Sequence, residues 1–273
     1  MPPISAQHTP RQNRLLAALP PEDFERLRQN LELVALTPGA SVYSAGERER
    51  YLYFHTTGIV CRFYVMNNGQ TAEFAVTGNE GVTGIASFLG GETLPSQSVV
   101  LSAGYAYRLR ADLLKGELEH GGPLLHLLLG YTMALIVQTA QSAACNRHHS
   151  LEQRLCRWIL SCLDCLPSRK LTMTQELIAN LLGVRREGVT EAAGALQRAG
   201  LIHYSRGHIV VLDRPRLEAR VCECYAVVKH EYDRLLPQSQ CSAPEIRCHG
   251  MDDARYHYPH QTDRSMRGRK ETI

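Results

Sequence analysis

Apolar residues recur along this chain with two different periods. In the C-terminal half, Leu177, Ile178, Leu181 and Leu182 fall on one side of a helix. Val189, Ala192, Ala193 and Leu196 then repeat at i, i+3, i+4 and i+7, the spacing of one buried helical face. Thr174 is placed as an N-cap, with Gln175 and Glu176 in the first turn. Ala179 is small enough to let a second helix cross closely. Gly183 stands just past the first helix, where the chain needs a positive φ. Ala199-Gly200 ends the second helix, and the β-rich runs 201–204 and 208–212 flank Ser205-Arg206-Gly207, a hairpin signal. Residues 174–213 are thus predicted to form two short helices and a small hairpin. That is the layout of a helix-turn-helix with a wing, which places its second helix in the DNA major groove.

The first half carries the shorter period. After predicted helices at 11–19 and 21–31, strand-like runs follow at 41–43, 51–56, 59–65 and 71–76, with later ones at 99–101 and 105–109. Turn signals punctuate them, Asn68-Gly69 most clearly. Many short strands with regular turns predict a β-roll or jelly roll. Gly121-Gly122-Pro123 opens a long helix to about residue 146, with Leu124, Leu127, Leu128, Tyr131, Leu135 and Gln138 along one side. Ser150 and Gln153 form a capping box that starts the next helix, reaching residue 166, so 146–149 is the hinge candidate. The fold class is α+β: an N-terminal roll over 1–120, a long helix and hinge over 121–147, a winged helix-turn-helix over 148–236, and a polar, His- and Arg-rich tail over 237–273 that looks disordered.

Charge adds a direction. The chain has a net charge of only +3. Residues 146–216 hold 11 Lys and Arg against 6 Asp and Glu, whereas residues 1–145 hold 10 against 12. The positive excess lies on the segment that would approach phosphates. Arg186, Glu187, Thr190, Glu191 and Gln197 fall opposite the apolar face of the second helix. A plain helical hairpin inside a core would explain the apolar faces, but not this basic helix start or the basic hairpin tip.

The run Gly183-Val184-Arg185-Arg186-Glu187-Gly188-Val189-Thr190 resembles the recognition helix of the cyclic-AMP receptor/Fnr superfamily, in which a Ser-Arg-Glu-Thr-Val core is common. Ala179, Gly183 and Val189 match the small, Gly and β-branched positions of helix-turn-helix proteins. CNRHHSLEQRLCRW at 145–158 and CECYAVVKHEYDRL at 222–235 resemble a subgroup of such regulators. The resemblance covers roughly residues 11–236. It implies a cyclic-nucleotide-binding-type sensor roll, the long helix as the seam of a homodimer, and double-stranded DNA as partner. Arg186 and Glu187 are implied as base readers and Arg185 as a phosphate contact, with Arg206 and His208 at the wing in the same role. Thr174, Thr190, Glu191 and Ser205 complete the expected DNA-facing set. Glu191 stands where relatives often carry a basic residue.

The ligand site departs from the family. Cyclic-nucleotide binders carry a Gly-Glu-Leu turn, whose Glu accepts the ribose hydroxyl, and an Arg-Ser or Arg-Ala step, whose Arg pairs with the phosphate. The matching positions here are Gly84-Ile85-Ala86 and Gln97-Ser98, and no Arg or Lys lies between Arg62 and Arg108. A buried phosphate without a cation is poorly stabilised. The roll is therefore expected to have lost cyclic-nucleotide binding, with the five residues Gly84, Ile85, Ala86, Gln97 and Ser98 left as the lining for any other effector.

The rest excludes more than it adds. The cysteine cluster that holds iron–sulfur at the N-terminus of oxygen-sensing relatives is missing, since Cys61 stands alone before Cys145. Cys222-x-Cys224 is a poor chelating spacing, His148-His149 reads as a helix junction, and Cys241, Cys248, His249, His257 and His260 are irregularly spaced. No metal and no cofactor are expected, and free buried cysteines are common core residues. No P-loop, G-x-S-x-G, H-E-x-x-H or dinucleotide fingerprint marks an enzyme. No apolar run approaches the roughly 18–20 residues of a membrane span, and the N-terminus lacks a signal core, so a cytoplasmic regulator is expected. RNA polymerase and a small-molecule effector stay open as further partners. The rival class is a small-molecule-sensing module that acts through protein contacts, with a degenerate helix-turn-helix.

Overall fold

A computed structural model describes residues 8–119, 121–166 and 170–236. The tail, with its five Cys and His positions, lies outside the described residues.

The chain enters through a short 3-10 turn at Pro10–Gln12, then α1 (Arg14–Ala17) and α2 (Pro21–Arg28). Buried Asn13 accepts from the amides of Leu15 and Leu16 and donates to the carbonyls of His55 and Gly81, so one side chain both caps α1 and pins it to the roll. The roll is built from β1 (Glu32–Leu36), β2 (Ser41–Tyr43), β3 (Tyr51–His55), β4 (Ile59–Val65), β5 (Thr71–Thr77), β6 (Val82–Thr83), the short helix α3 (Ala86–Leu89), β7 (Gln97–Ser102) and β8 (Gly104–Arg110). The strands form two antiparallel four-stranded sheets, in the orders β1-β8-β3-β6 and β2-β7-β4-β5. Leu36 and Ala106 from the first sheet meet Val60 and Val100 from the second in one apolar cluster. The Asn68-Gly69 turn closes the β4–β5 hairpin, with Val65 opposite Thr71.

Two strands of the roll lie outside the predicted elements. β1 follows α2 after only a short turn, so its ELVAL run directly continues the apolar pattern of the helix predicted to reach residue 31; α2 stops at Arg28. β6 has two residues and carries no period of its own.

After α4 (Ala111–Glu119) comes α5 (Pro123–His148), 26 residues long. By length and composition α5 is apolar enough to cross a membrane. Its Gly, Thr and Gln interruptions hide this from a search for unbroken apolar runs. One side of α5 packs within the chain. Tyr131 Oη donates to the Val82 carbonyl at 3.0 Å, and Gln138 bridges the Val76 carbonyl and Tyr232.

If the long helix is a dimer seam, as the resemblance implies, its predicted apolar side with Leu124, Leu127, Leu128, Tyr131 and Leu135 is expected to be the face between two chains, and that expectation is corrected. All five are buried against the chain's own roll and C-terminal helix, with Leu128 0% exposed. The physical reason is that a helix beside a sheet spends its wider apolar face on its own core. A second stripe remains outside. Leu129, Met133 and Ile136 are exposed at 48%, 48% and 57%, and exposed Ala140 and Ala143 continue the 4-3-4-3 spacing.

The C-terminal part holds α6 (Leu151–Asp164), β9 (Lys170–Thr172), α7 (Gln175–Leu182), α8 (Arg186–Arg198), β10 (Ile202–Ser205), β11 (His208–Val211), α9 (Arg214–Glu218) and α10 (Cys224–Leu235). The Ser150–Gln153 capping box starts α6 as predicted. The helical break falls at His149–Ser150, at the late edge of the hinge candidate. Ile59, Cys61, Val76 and Leu101 of the roll share one apolar cluster with α6, α7 and α8, so the two halves are packed together.

Candidate nucleic-acid interface

The helix-turn-helix is built by the burial pattern that its sequence displays. Ile178, Ala179, Leu181 and Leu182 of α7 and Val189, Ala192, Ala193 and Leu196 of α8 are buried, and the two helices pack on each other and on α6. Thr174 caps α7 by accepting from the Leu177 amide. Gly183 ends it in the left-handed region (φ 63), where its own amide reaches the Asn180 carbonyl and that of Val184 reaches Ala179. Arg154 of α6 donates to the free carbonyl of Leu182, so the turn is held from behind by a charge-assisted bond.

Arg185 is the N-cap residue of α8, but its side chain makes no capping bond. Arg185, Arg186, Glu187, Thr190 and Glu191 are all exposed. Among the described residues, the side chains of Arg185, Arg186 and Glu187 make no hydrogen bond or ion pair. Thr190 differs, because its hydroxyl meets Gln175 at 2.8 Å and the Arg186 carbonyl at 3.0 Å. It fixes the crossing of α7 and α8.

The wing is a tight hairpin in which Ser205 pairs with His208. Arg206 (φ 49) and Gly207 (φ 81) both take the left-handed conformation of a primed turn. β11 also pairs with β9, making a three-stranded sheet. The Tyr204 hydroxyl ties the wing to the Met173 carbonyl at 2.8 Å, and His208 Nδ1 lies 3.2 Å from the Thr172 hydroxyl. Ser205, Arg206 and His208 are exposed at this tip or beside it. Thr174 and Arg206 also border a cleft of about 380 Å³ whose other wall includes Phe63, Thr71 and Val99 of the roll. Two of the expected DNA-facing residues thus stand beside the sensor half, while those on α8 do not line that cleft.

Residues 153–220 match the model of a Crp-like helix-turn-helix domain, and residues 33–120 match that of a cyclic nucleotide-binding domain, together more than half the chain. The chain belongs to the Crp/Fnr superfamily of regulators. FixK2 from Bradyrhizobium japonicum has the same fold, with a TM-score of 0.61 at 16% identity over 70% of this chain and 98% of its own. So does CLP, a c-di-GMP-responsive global regulator of Xanthomonas campestris, with a TM-score of 0.57 at 17% identity over 70% of this chain and 99% of its own. A CRP-family transcriptional regulator from Thermus thermophilus gives a TM-score of 0.57 at 21% identity over 68% and 95%. A comparison with curated protein sequences gave no match.

In this Crp/Fnr regulator the expected effector positions are mostly closed. Gly84, Ile85, Ala86 and Ser98 are buried and Gln97 half-buried, and five clefts of about 260–510 Å³ among the described residues are lined by other side chains. Gly84 (φ 110) lies so close to the Tyr51 carbonyl that a Cβ would sit 2.3 Å from it. The Ala86 amide is already satisfied, because buried Glu49 accepts from it at 2.7 Å.

The linear motif also hid a cation. Arg62 of β4, 2% exposed, points inside the roll, where it meets the Tyr131 hydroxyl at 3.4 Å and acts electrostatically on Glu49 and His55. Burial pushes the Glu49 carboxyl up, and burial together with Arg62 pushes His55 down to about 3, so this imidazole is neutral. The roll interior thus holds a carboxyl and a guanidinium of its own.

One grouping was invisible to linear spacing. Cys145 and His149 at the end of α5 meet Cys222 and Cys224 at the start of α10.

Proposed function

We propose that the chain is a cytoplasmic, sequence-specific transcription regulator that binds paired DNA half-sites as a homodimer and whose roll does not take cyclic nucleotides. In this reading residues 1–120 form the sensor, 121–147 the dimerisation helix and hinge, and 148–236 the DNA-binding domain. The observation that carries it is the state of α8. Its apolar face is locked into the core, and its N-terminal Arg185, Arg186 and Glu187 are exposed, with no hydrogen-bond or ion-pair partner among the described residues. Charged side chains left free at the leading end of a helix backed by two others suit base-edge and phosphate contact.

The homodimer rests on the outer stripe of α5. Leu129, Met133 and Ile136 are exposed large apolar residues at seam spacing. The absence of cyclic-nucleotide binding rests on the lack of a cation at the Gln97-Ser98 step and on Glu49, whose carboxyl already occupies the Ala86 amide in the turn that matches the ribose site. CLP's c-di-GMP response belongs to that protein, and no effector is assigned to this chain.

The test is selection of DNA from a random pool by the purified full chain, followed by a salt series on the enriched sequence. A regulator enriches a two-fold symmetric site with half-site centres about one helical turn apart, and it loses affinity steeply with salt. A module that acts through protein contacts enriches nothing and binds DNA at background at every salt concentration.

A further inference from the structure

The hinge carries a set of side chains that DNA binding does not use. Cys145 lies in the last turn of α5, and His149 is its C-cap, held by its amide to the Cys145 carbonyl at 3.1 Å. Cys222 precedes α10 and Cys224 is its first residue. The three cysteines are 0%, 3% and 0% exposed. The four ligand atoms lie within 4.8 Å of one another.

We propose that Cys145, His149, Cys222 and Cys224 form a structural zinc(II) site that clamps the α5–α6 hinge to the start of α10.

Geometry supports a single ion. Zinc binds thiolate sulfur at about 2.3 Å and imidazole nitrogen at about 2.0 Å, so a tetrahedral site has S···S edges of about 3.8 Å and S···N edges of about 3.5 Å. Cys145 Sγ and Cys222 Sγ are 3.6 Å apart, and Cys224 Sγ and His149 Nδ1 are 3.4 Å apart. A disulfide would need about 2.05 Å. An iron–sulfur cluster spreads its ligand sulfurs over the width of the cluster, wider than this group.

The surroundings are those of a ligand set. His149 Nε2 faces the Glu223 carboxylate at 3.2 Å, which fixes the ring and leaves Nδ1 to the metal. Gln141 Nε2 donates to Cys224 Sγ at 3.1 Å, a bond that favours the thiolate. Among the described residues, Val221 alone of the apolar side chains packs on these thiols, unlike the apolar bed of Cys61 and Cys162. Three thiolates and a neutral imidazole on Zn²⁺ carry one net negative charge, and loading releases the three thiol protons. Arg154 acts on Cys145 electrostatically and also holds the Leu182 carbonyl at the helix-turn-helix turn. Four protein ligands leave no open position, which makes the site structural and not catalytic.

The full chain, reduced and stripped of metal, is titrated with cobalt(II) and then with zinc(II). The expected result is one cobalt per chain, with thiolate-to-metal charge transfer and strong d–d bands of a tetrahedral ion, bleached by one equivalent of zinc. Cys222→Ser abolishes the charge-transfer signal, and the paired change Cys241→Ser with Cys248→Ser in the tail leaves it intact. Glu223→Gln, a change at an exposed side chain, keeps the tetrahedral spectrum and weakens zinc affinity about 10-fold. A weak octahedral cobalt spectrum, or a signal that survives Cys222→Ser and disappears with the tail pair, overturns the site. So does a Cys145–Cys222 disulfide found by mass spectrometry in protein isolated with its thiols trapped.

Discussion

The indole Nε1–H of Trp158 on α6 donates to the Glu73 carboxylate on β5 at 3.0 Å. It joins the DNA-binding half to the roll from inside a shared core, where Trp158 is 1% exposed. Thr71, two residues earlier on β5, adds a bond from its hydroxyl to the Asn180 carbonyl on α7 at 2.7 Å. The edge of the sensor sheet therefore touches both the support helix and the first helix of the helix-turn-helix.

This contact makes stability depend on pH. Burial raises Glu73 to about 7, against the opposing pull of the Trp158 bond and Arg157. The folded state thus holds the Glu73 proton more tightly than the unfolded chain does. Stability falls as pH rises from the ordinary carboxyl range, near 4.5, through about 7. Each tenfold difference in proton affinity is worth about 1.4 kcal/mol, so the loss is roughly 3 kcal/mol at most. Urea unfolding at pH 5.5 and 8 measures it. About 2 kcal/mol of that loss falls between these two pH values, and Glu73→Gln, which keeps an acceptor for Trp158, should remove it. Equal pH dependence in the two proteins would show that Glu73 is not the titrating group.

Base readers and phosphate contacts separate by their mutant signatures. Arg186→Ala should cost roughly 1–3 kcal/mol on the preferred operator and relax preference at one base pair per half-site. Arg206→Ala, at the wing tip, should weaken all sequences about equally and lower the salt slope by about one unit. Binding to specific and random DNA is measured side by side. If Arg186→Ala weakens both by the same factor, the reading face has been misassigned.

The two sides of α5 should respond oppositely to charge. Ile136→Glu, on the exposed stripe, is expected to give folded monomers with weak operator binding. Leu128→Glu, at a position with no exposure, should destabilise the fold itself by several kcal/mol, as unpaired buried charges do. Light scattering gives the mass and circular dichroism the fold. A wild-type monomer at micromolar concentration, or an unaltered dimer of Ile136→Glu, refutes the seam.

The roll should ignore cyclic nucleotides. Glu49 occupies the Ala86 amide, and buried Arg62 is turned toward the Tyr131 hydroxyl. Calorimetry with cAMP and with cGMP should show no binding at physiological concentration. A micromolar dissociation constant for either would mean that Glu49 yields its place.

Local rules made much of this molecule legible in advance. The caps of Thr174 and Ser150, the left-handed Gly183 and the Asn68-Gly69 hairpin are set by residues a few positions apart. So are the paired apolar faces of α7 and α8, because their periods are local properties. The family resemblance and the Crp-like helix-turn-helix followed from these residues. The short strands β6 and β9 have too few residues to show a period, and β1 was hidden because its apolar run continues that of α2.

What the sequence by itself determined was the kind of element at each place and, for α8, which residues could face solvent. Tertiary structure alone decided which side of α5 stays with its own chain, since two apolar stripes on one helix look alike until a sheet covers one of them. It also decided that Arg62 turns into the roll to meet Tyr131 of α5, and that Glu49 turns in to hold the Ala86 amide, although neither lies in the expected motif. And it brought Cys145 and His149 within ligand distance of Cys222 and Cys224 across more than seventy residues of chain, because α10 folds back along α5. Proximity of that range depends on how elements pack, and no spacing along the chain encodes it.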